Sequence, residues 1–210
     1  MRGLTAALAA AVAVALVAVG APQASVRPIL FVGDSLTVGY YASSPSKTYP
    51  ALVAGALGRP AIEIATGGVT ASHYAARTSF PKAAVVVVEL GTNDFEHQTP
   101  VGAFDRAYEQ VIAHVRRVNP TAKLVCVAVW NGDYSNPAWA PSATYDAKIR
   151  GDCTGGKVAN VGGAFDVAAD RGPAGTSSAF GLRDQFHPND AGHQAIATAV
   201  LGALRSAPAR

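Results

Sequence analysis

The stretch AAVVVVELGTND, residues 83–94, indicates how this chain folds. Its four consecutive valines, Val85 to Val88, lack the apolar–polar alternation of a strand that has one face in water. A strand of this kind is covered on both faces, as in the parallel sheets of α/β proteins. We therefore predict a buried strand over Ala83–Leu90, followed by a small polar turn at Gly91–Asp94.

Four further apolar runs predict the other strands of the sheet, the last of them more weakly. They are Pro28–Val32, Ala61–Ala65, Lys123–Trp130 and Lys157–Val161. Helical spacing of apolar residues is found in three segments, Pro50–Leu57, Phe104–Val118 and Asn189–Leu204, the last with Asn189 or Asp190 as its N-cap. Strands that alternate with helices pair in parallel, so the sequence predicts a three-layer α/β/α sandwich around a five-stranded parallel sheet.

The composition fits one globular domain rather than several. The chain has 210 residues, of which 50% are hydrophobic and 15% are charged. This balance is typical of a folded protein with a sizeable core. The formal net charge is +3, and no dense run of Lys or Arg stands out. We therefore expect no nucleic-acid partner.

The first residues differ from the rest of the chain. Arg2 precedes a run rich in Ala and Val that ends in small residues. A basic start, an apolar stretch and a small-residue end are typical of a secretory signal peptide. We predict a signal over residues 1–24, cleaved after Ala21 or Ala24, one domain over residues 25–210, and a secreted mature protein. An uncleaved membrane anchor is the alternative, because the run is just long enough to span a bilayer.

Cys126 and Cys153 are the only two cysteines in the sequence. In an exported protein two such residues can pair, and we predict a disulfide between them on the ground of compartment. The alternative is a pair of buried thiols, because Cys126 lies inside the apolar run Lys123–Trp130.

Polar turns follow the first three predicted strands. Asp34 and Ser35 follow the first strand, Thr66–Gly68 the second and Gly91–Asp94 the third. The carboxyl ends of parallel strands meet at one edge of the sheet, where such folds bind their ligands. Ser35 is a candidate nucleophile at this edge, although a serine after a strand is also ordinary turn chemistry. A serine hydroxyl is a weak nucleophile and needs a base beside it.

His187 is the best candidate for that base among the five histidines. It lies in the segment RDQFHP just before the last predicted helix, and Asp184 lies three residues upstream. In a tight turn this spacing brings the Asp184 carboxylate to Nδ1 of His187 and leaves Nε2 free for Ser35. Two alternatives exist: a loop Asp and His that satisfy backbone groups, or a metal site that also includes Asp190 and His193.

Hydrogen-bond donors for a negatively charged oxygen are also available at this edge. Asn93 offers a side-chain amide, Gly68 offers a backbone N–H without a side chain, and Ser35 offers its own backbone N–H. Acyl transfer requires such donors, because charge develops on the carbonyl oxygen in the transition state. Each of these residues also has an ordinary structural interpretation, as part of a turn or a helix cap.

Four ordered blocks of sequence resemble those of the SGNH hydrolases, the GDSL esterase and lipase family. The blocks are GDSL at residues 33–36, Gly68, GTND at residues 91–94 and DQFH at residues 184–187. The resemblance extends from about Pro28 to Leu204 and implies a flavodoxin-like fold and a serine esterase.

The resemblance also implies a role for each matching residue. It makes Ser35 the nucleophile, His187 the general base and acid, and Asp184 the partner that orients the imidazole. It assigns the oxyanion hole to the backbone of Ser35, the backbone of Gly68 and the side chain of Asn93.

The second block departs from the family pattern. Family members often have Asn-x-x-x-Ser-Gly-x-Thr there, whereas this chain has EIATGGVT at residues 63–70. Glu63 stands in place of the asparagine, and Gly67 stands in place of the serine. Gly68 is therefore the expected backbone donor, and Gly67 is the second choice.

The resemblance predicts a carboxylic ester hydrolase that needs no metal and no organic cofactor, and the predicted signal peptide makes it a secreted one. Short-acyl esters are the expected substrates, for example O-acetyl groups on carbohydrate, because no long apolar lid segment is found in the sequence. An aromatic wall beside the site could come from four residues, although aromatic side chains mostly serve burial. These residues are Tyr40, Tyr41, Tyr134 and Trp139.

Several alternatives to a short-acyl esterase stay open at this point. The same triad would serve a lipase, a phospholipase or an acyltransferase, and the fold would also suit a catalytically silent carbohydrate-binding domain. The expected partners are small-molecule or carbohydrate esters. We expect a monomer with no stable membrane insertion after signal cleavage.

Overall fold

The computed structural model describes residues 26–131 and 140–206, and five strands within them form one parallel sheet. The strands are β1 Ile29–Gly33, β2 Ala61–Ala65, β3 Val85–Glu89, β4 Lys123–Val127 and β5 Lys157–Ala159. Their order across the sheet is β2-β1-β3-β4-β5. A separate antiparallel pair consists of β6 Ser177–Ser178 and β7 Gly181–Leu182. The five predicted strands are confirmed, with small shifts at their ends.

Eight α-helices lie between or after the strands in the described part of the chain. They are α1 Ser35–Val38, α2 Tyr49–Leu57, α3 Ser72–Ala75, α4 Thr92–Glu96, α5 Val101–Val118, α6 Ser142–Asp152, α7 Gly162–Phe165 and α8 Asp190–Arg205. The three predicted helices correspond to α2, α5 and α8. Asn189 is the N-cap of α8, because its side chain accepts hydrogen bonds from the backbone N–H groups of Ala191 and Gly192.

The sheet is covered on both faces, as the run of valines predicts. Every residue of β3 is buried. One core cluster packs between the sheet and the helices α5 and α6, and a second packs between the sheet and the helices α2 and α8. Each fully buried Val or Phe in these clusters stabilises the fold by about 1.5–3 kcal/mol. The result is the predicted three-layer α/β/α sandwich.

A disulfide joins Cys126 in β4 to Cys153 at the end of α6, with the two Cα atoms 6.1 Å apart. The prediction of this disulfide is confirmed. Both cysteines are buried, so the bond ties α6 to the sheet from inside the core.

The strand order places β1 beside β3 at the centre of the sheet. The chain leaves β1 toward β2 on one side, and it leaves β3 toward β4 on the other side. Folds with this order have a crevice at the carboxyl ends of the two central strands, and ligands bind in it. Ser35 follows β1 and Asn93 follows β3, so both residues lie at this crevice.

No helix among residues 26–131 and 140–206 combines the length and apolar character needed to span a bilayer. The predicted signal over residues 1–24 lies outside the described residues. Tyr134 and Trp139, two members of the predicted aromatic wall, also lie outside them.

Candidate active site

Ser35 begins the single helical turn α1 directly after β1. The turn is held by Asp34, whose Oδ1 accepts a hydrogen bond from the backbone N–H of Leu36 at 3.0 Å. The residue before this turn must be glycine, because a Cβ on Gly33 would overlap the side chain of Thr37. The strand therefore passes into the turn within two residues, and this places the Ser35 hydroxyl at the carboxyl edge of the sheet.

His187 lies beside Ser35 although 152 residues separate them in sequence. Nε2 of His187 is 2.9 Å from Oγ of Ser35, which is hydrogen-bonding distance. The imidazole arrives on the loop before α8, and this loop is held in place by the N-cap residue Asn189. Its amide group donates to the backbone oxygens of Ala169, Arg171 and Gly172.

Asp184 holds the loop of His187 through three hydrogen bonds, two of them with His187 itself. Its Oδ2 is 2.7 Å from Nδ1 of His187, while its Oδ1 accepts from the backbone N–H groups of Phe186 and His187 at 2.9 and 2.7 Å. Burial alone would raise the pKa of Asp184, but the hydrogen bonds from His187 outweigh it and lower the pKa below its usual value. Asp184 therefore stays charged and can stabilise a protonated imidazole.

Asn93 points its amide toward the same edge from the first turn of α4. Its Nδ2 donates to Oδ2 of Asp34 at 2.8 Å and to the backbone oxygen of Val69 at 3.0 Å. The Val69 contact connects Asn93 to the turn that contains Gly68. A second hydrogen bond, from the backbone N–H of Ala71 to the Asp94 carboxylate at 2.8 Å, fastens the two turns together.

Gly68 and Gly67 differ in their surroundings. Gly68 has a φ of +76°, a conformation that favours glycine, and no heavy atom lies within 4 Å of the position a Cβ would occupy. A Cβ on Gly67 would lie 2.9 Å from the hydroxyl oxygen of Tyr40. The tyrosine hydroxyl therefore takes the space that a serine side chain at residue 67 would need, which accounts for the departure from the family pattern.

The sequence model of the GDSL-like Lipase/Acylhydrolase family matches residues 31–195. The chain belongs to this family. It is accordingly a carboxylic ester hydrolase, and the Ser35 turn described above lies in the block that names the family.

Solved structures with the same fold include other esterases. The esterase EstA from Pseudoalteromonas sp. is 16% identical, with a TM-score of 0.64 over 85% of this chain and 97% of that chain. A mutant of Axe2, an acetyl-xylooligosaccharide esterase from Geobacillus, is 19% identical, with a TM-score of 0.64 over 89% of this chain and 97% of that chain.

A carbohydrate esterase family 2 enzyme from Myceliophthora fergusii, with its carbohydrate-binding domain, is 22% identical. Its TM-score is 0.63 over 88% of this chain and 69% of that chain. Comparison with curated protein sequences gives no significant match.

Beneath the Ser35 turn of this GDSL-family esterase lies a buried carboxyl group that the sequence analysis missed. Glu89 at the end of β3 is 1% exposed. Its Oε2 accepts from the backbone N–H of Asp34 at 3.2 Å and from the hydroxyl of Thr37 at 2.9 Å, and Thr37 also contacts the hydroxyl of Tyr49 at 2.7 Å. One signal could have revealed it, since a glutamate ends a strand that was predicted to be covered on both faces.

Glu89 and Asp34 form a buried pair of carboxyl groups. The two carboxyl groups are hydrogen-bonded to each other, and both are fully buried. Burial raises the pKa of Asp34 to about 6, and burial together with the Asp34 charge raises the pKa of Glu89 well above its usual value. Two buried carboxylates in contact cannot both be ionised at low cost. Glu89 therefore keeps the proton, and Asp34, with N–H donors from Leu36 and Asn93, takes the charge.

His193 occupies a different place from the one that the alternative metal site requires. It is fully buried, its Nδ1 accepts from the backbone N–H of Tyr49 at 3.3 Å, and its Nε2 lies 3.0 Å from the backbone oxygen of Tyr40. Burial lowers its pKa to about 4, so it is neutral. Both ring nitrogens are thus engaged with the backbone, and no cluster of three or more metal-ligating side chains occurs among the described residues.

Aromatic rings surround His187 of this esterase. The ring centroids of Tyr40 and Tyr41 lie 5.5 and 5.1 Å from that of the imidazole, and the Phe186 ring lies 5.2 Å from it. Tyr40 therefore reaches from the imidazole to Gly67. These two tyrosines from the predicted aromatic wall are next to the site.

Proposed function

We propose that this chain is a serine esterase in which Ser35 attacks the ester carbonyl and His187 takes its proton. The observation that carries the proposal is the continuous chain of hydrogen-bonding contacts from Ser35 through His187 to Asp184. This is the arrangement that activates a serine, because the base touches the nucleophile and a carboxylate orients the base.

The oxyanion of the tetrahedral intermediate is held by the backbone N–H groups of Ser35 and Gly68 and by the amide of Asn93. In the free enzyme this amide donates to both Asp34 and Val69. The Asp34 contact keeps the amide oriented, and the oxyanion takes the place of the Val69 oxygen as the second acceptor. Such donors are aimed at the charge that develops in the transition state.

His187 then protonates the leaving alcohol, and an acyl group stays on Ser35. Water attacks this acyl-enzyme in the second half of the reaction, with His187 again as the base. The proposed chemistry uses side chains and backbone groups of this chain, with no metal or organic cofactor.

We propose that the natural substrates are short-acyl esters of carbohydrate, such as O-acetyl groups. The leaving alcohol departs next to His187, and the flat rings of Tyr40 and Tyr41 lie there and suit a sugar ring. The acetyl-xylooligosaccharide esterase and the family 2 carbohydrate esterase with the same fold agree with this choice. Secretion is proposed from the predicted signal over residues 1–24 and agrees with the disulfide.

The direct test is Ser35→Ala, assayed with nitrophenyl acetate and with an acetylated xylooligosaccharide. We expect hydrolysis of both to fall to the background rate while the circular dichroism spectrum is unchanged. A variant that keeps its activity would overturn the assignment of Ser35. A series of nitrophenyl esters of increasing chain length tests the substrate class, since activity that rises with chain length would contradict a short-acyl enzyme.

A further inference from the structure

The edge of the sheet opposite the active site carries a row of cations. Each strand has one at, or just before, its amino end. In the order of the strands across the sheet they are Arg59, Arg27, Lys82, Lys123 and Lys157. Neighbouring strands are about 4.8 Å apart, so the row is about 20 Å long.

Helices widen this row into an area. Arg116 and Arg117 lie in the last turn of α5, which covers one face of the sheet. Arg205 lies in the last turn of α8, which covers the other face. The cations therefore extend across all three layers of the sandwich rather than along a single line.

Acidic residues are rare in the segments that build this edge. The sequence has no Asp or Glu over residues 1–33, 35–62, 64–88, 110–132, 153–165 and 191–210, and Glu63 in β2 and Asp152 at the end of α6 are the nearest in sequence to the cations of the edge. Three of the arginines are held by backbone oxygens: Arg59 donates to Arg27, Arg116 to Ala122 and Thr154, and Arg117 to Thr78. These contacts position the guanidinium groups and leave their positive charge uncompensated.

Two hollows open on this edge. Arg27, Lys82 and Arg117 line one of about 390 Å³, and Arg59, Lys123 and Arg205 line the other, of about 540 Å³. No Asp or Glu lines either hollow in the described part of the chain. The second hollow also has an apolar wall, formed by Leu57, Leu201 and Leu204. A hollow with cations at its mouth and an apolar wall suits an anionic amphiphile.

We propose that this basic edge, formed by Arg27, Arg59, Lys82, Arg116, Arg117, Lys123, Lys157 and Arg205, docks the enzyme on a bilayer that contains anionic phospholipids. A two-dimensional array of cations matches a surface of headgroups better than it matches one linear polymer. The apolar side chain of Val26, which is 56% exposed, lies beside Arg27 on the same edge. Docking in this way leaves the Ser35 edge facing away from the lipid and open to substrate.

The carboxylates of the molecule support this orientation. Glu96 ends α4, Asp184 lies on the loop before α8, and Asp190 begins α8, so these carboxylates lie at the active-site edge. Arg183 and Lys47 are close to Asp190 there, so this edge carries charges of both signs, and an anionic surface attracts the basic edge more strongly.

The test is co-sedimentation of the full chain with two kinds of vesicle, one of phosphatidylcholine and one of an equal mixture of phosphatidylcholine and phosphatidylglycerol. The apolar N-terminal run is present in every sample, so the readout is the ratio of the two affinities. Each cation near an anionic surface strengthens binding about fivefold. We expect the triple variant Arg27→Glu, Lys82→Glu, Arg117→Glu to lose at least about 100-fold in affinity for the anionic vesicles.

A matched control reverses the same number of charges elsewhere. Lys47, Arg106 and Lys148 lie away from the basic edge: Lys47 precedes α2, Arg106 lies near the start of α5, and Lys148 pairs with Asp105 at 3.0 Å beside it. Their triple change to Glu should lower the affinity for anionic vesicles far less than the edge variant does, and both triple variants should hydrolyse nitrophenyl acetate in solution like the wild type.

Three results would overturn the proposal. Equal binding of the wild type to both vesicles would show that the anionic headgroups are not recognised. Equal losses in the two triple variants would show an effect of net charge alone. Binding to soluble polyphosphate that depends on the basic edge, without binding to anionic vesicles, would assign the edge to a polyanionic polymer instead of a bilayer.

Discussion

The backbone N–H of Asp34 donates a hydrogen bond to the carboxyl group of Glu89, 3.2 Å away, directly beneath the turn that presents Ser35. The same carboxyl group accepts a hydrogen bond from the hydroxyl of Thr37, at the far end of that turn. Glu89 thus holds both ends of the α1 turn, and Asp34 in turn holds the amide of Asn93. The buried carboxyl pair therefore links the proposed nucleophile to one of the proposed oxyanion donors.

Glu89→Gln should keep most of the esterase activity, whereas Glu89→Leu should lower kcat by about 10- to 100-fold. A neutral amide can accept from Thr37 and donate to Asp34, as the protonated acid does, but leucine can do neither. The measurement is kcat and KM for nitrophenyl acetate across the pH range. A charged Glu89 would give the opposite result, a Gln variant as impaired as the Leu variant. Glu109→Gln, on the exposed face of α5, is the matched control.

The free energy of unfolding of the wild type should decrease, relative to that of the Glu89→Gln variant, as the pH rises. The raised pKa means that the folded protein keeps the Glu89 proton where the unfolded chain releases it. The contribution of Glu89 to the free energy of unfolding is therefore largest below the usual glutamate pKa. Above that pKa it decreases by up to about 1.4 kcal/mol per pH unit. Urea unfolding of both proteins between about pH 5 and about pH 8 measures the difference. A difference that is independent of pH would show that Glu89 is already ionised.

Asn93→Ala should lower kcat by about 10²–10³, the usual cost of one oxyanion donor, with little change in KM. Steady-state kinetics on a short-chain ester measures both constants. The amide also contacts Asp34 and Val69, so the melting temperature of the variant must be measured alongside. An effect confined to KM would mean that Asn93 only binds substrate.

Replacing both Cys126 and Cys153 by Ala should lower the free energy of unfolding by about 3–4 kcal/mol in the chain-entropy account. The bond closes a loop with a sequence separation of 27. It lies in the core between β4 and α6, away from the proposed catalytic edge, so kcat at low temperature should stay unchanged. Chemical denaturation with and without a reductant gives the comparison, and equal stabilities in the two conditions would contradict a structural role.

The residues of the candidate site could be proposed from the sequence because they come in local blocks. The turn after β1, the GTND turn after β3 and the pairing of Asp184 with His187 each depend on residues within a few positions of one another. A parallel sheet brings the carboxyl ends of its strands to one edge, so the joint location of the first two blocks followed from the strand pattern. The Asp184–His187 loop precedes α8 and follows no strand of this sheet, so its place beside Ser35 depended on the tertiary structure. Ser35 and His187 are 152 positions apart in the sequence and 2.9 Å apart in the structure. This distance supports the proposal that the two residues act together in catalysis.

Local sequence alone determined the buried central strand, the alternation of helices and strands, and the cap of α8, because each depends on spacing or on one side chain near its own backbone. Tertiary structure alone decided three other features. These were the raised pKa of Glu89 beside Asp34, the engagement of both ring nitrogens of His193, and the gathering of cations from five strands and two helices on one edge. Each depends on groups that are distant in sequence but close in the fold. Burial and nearby charges set the protonation state of a side chain, and neither can be read from its neighbours in sequence.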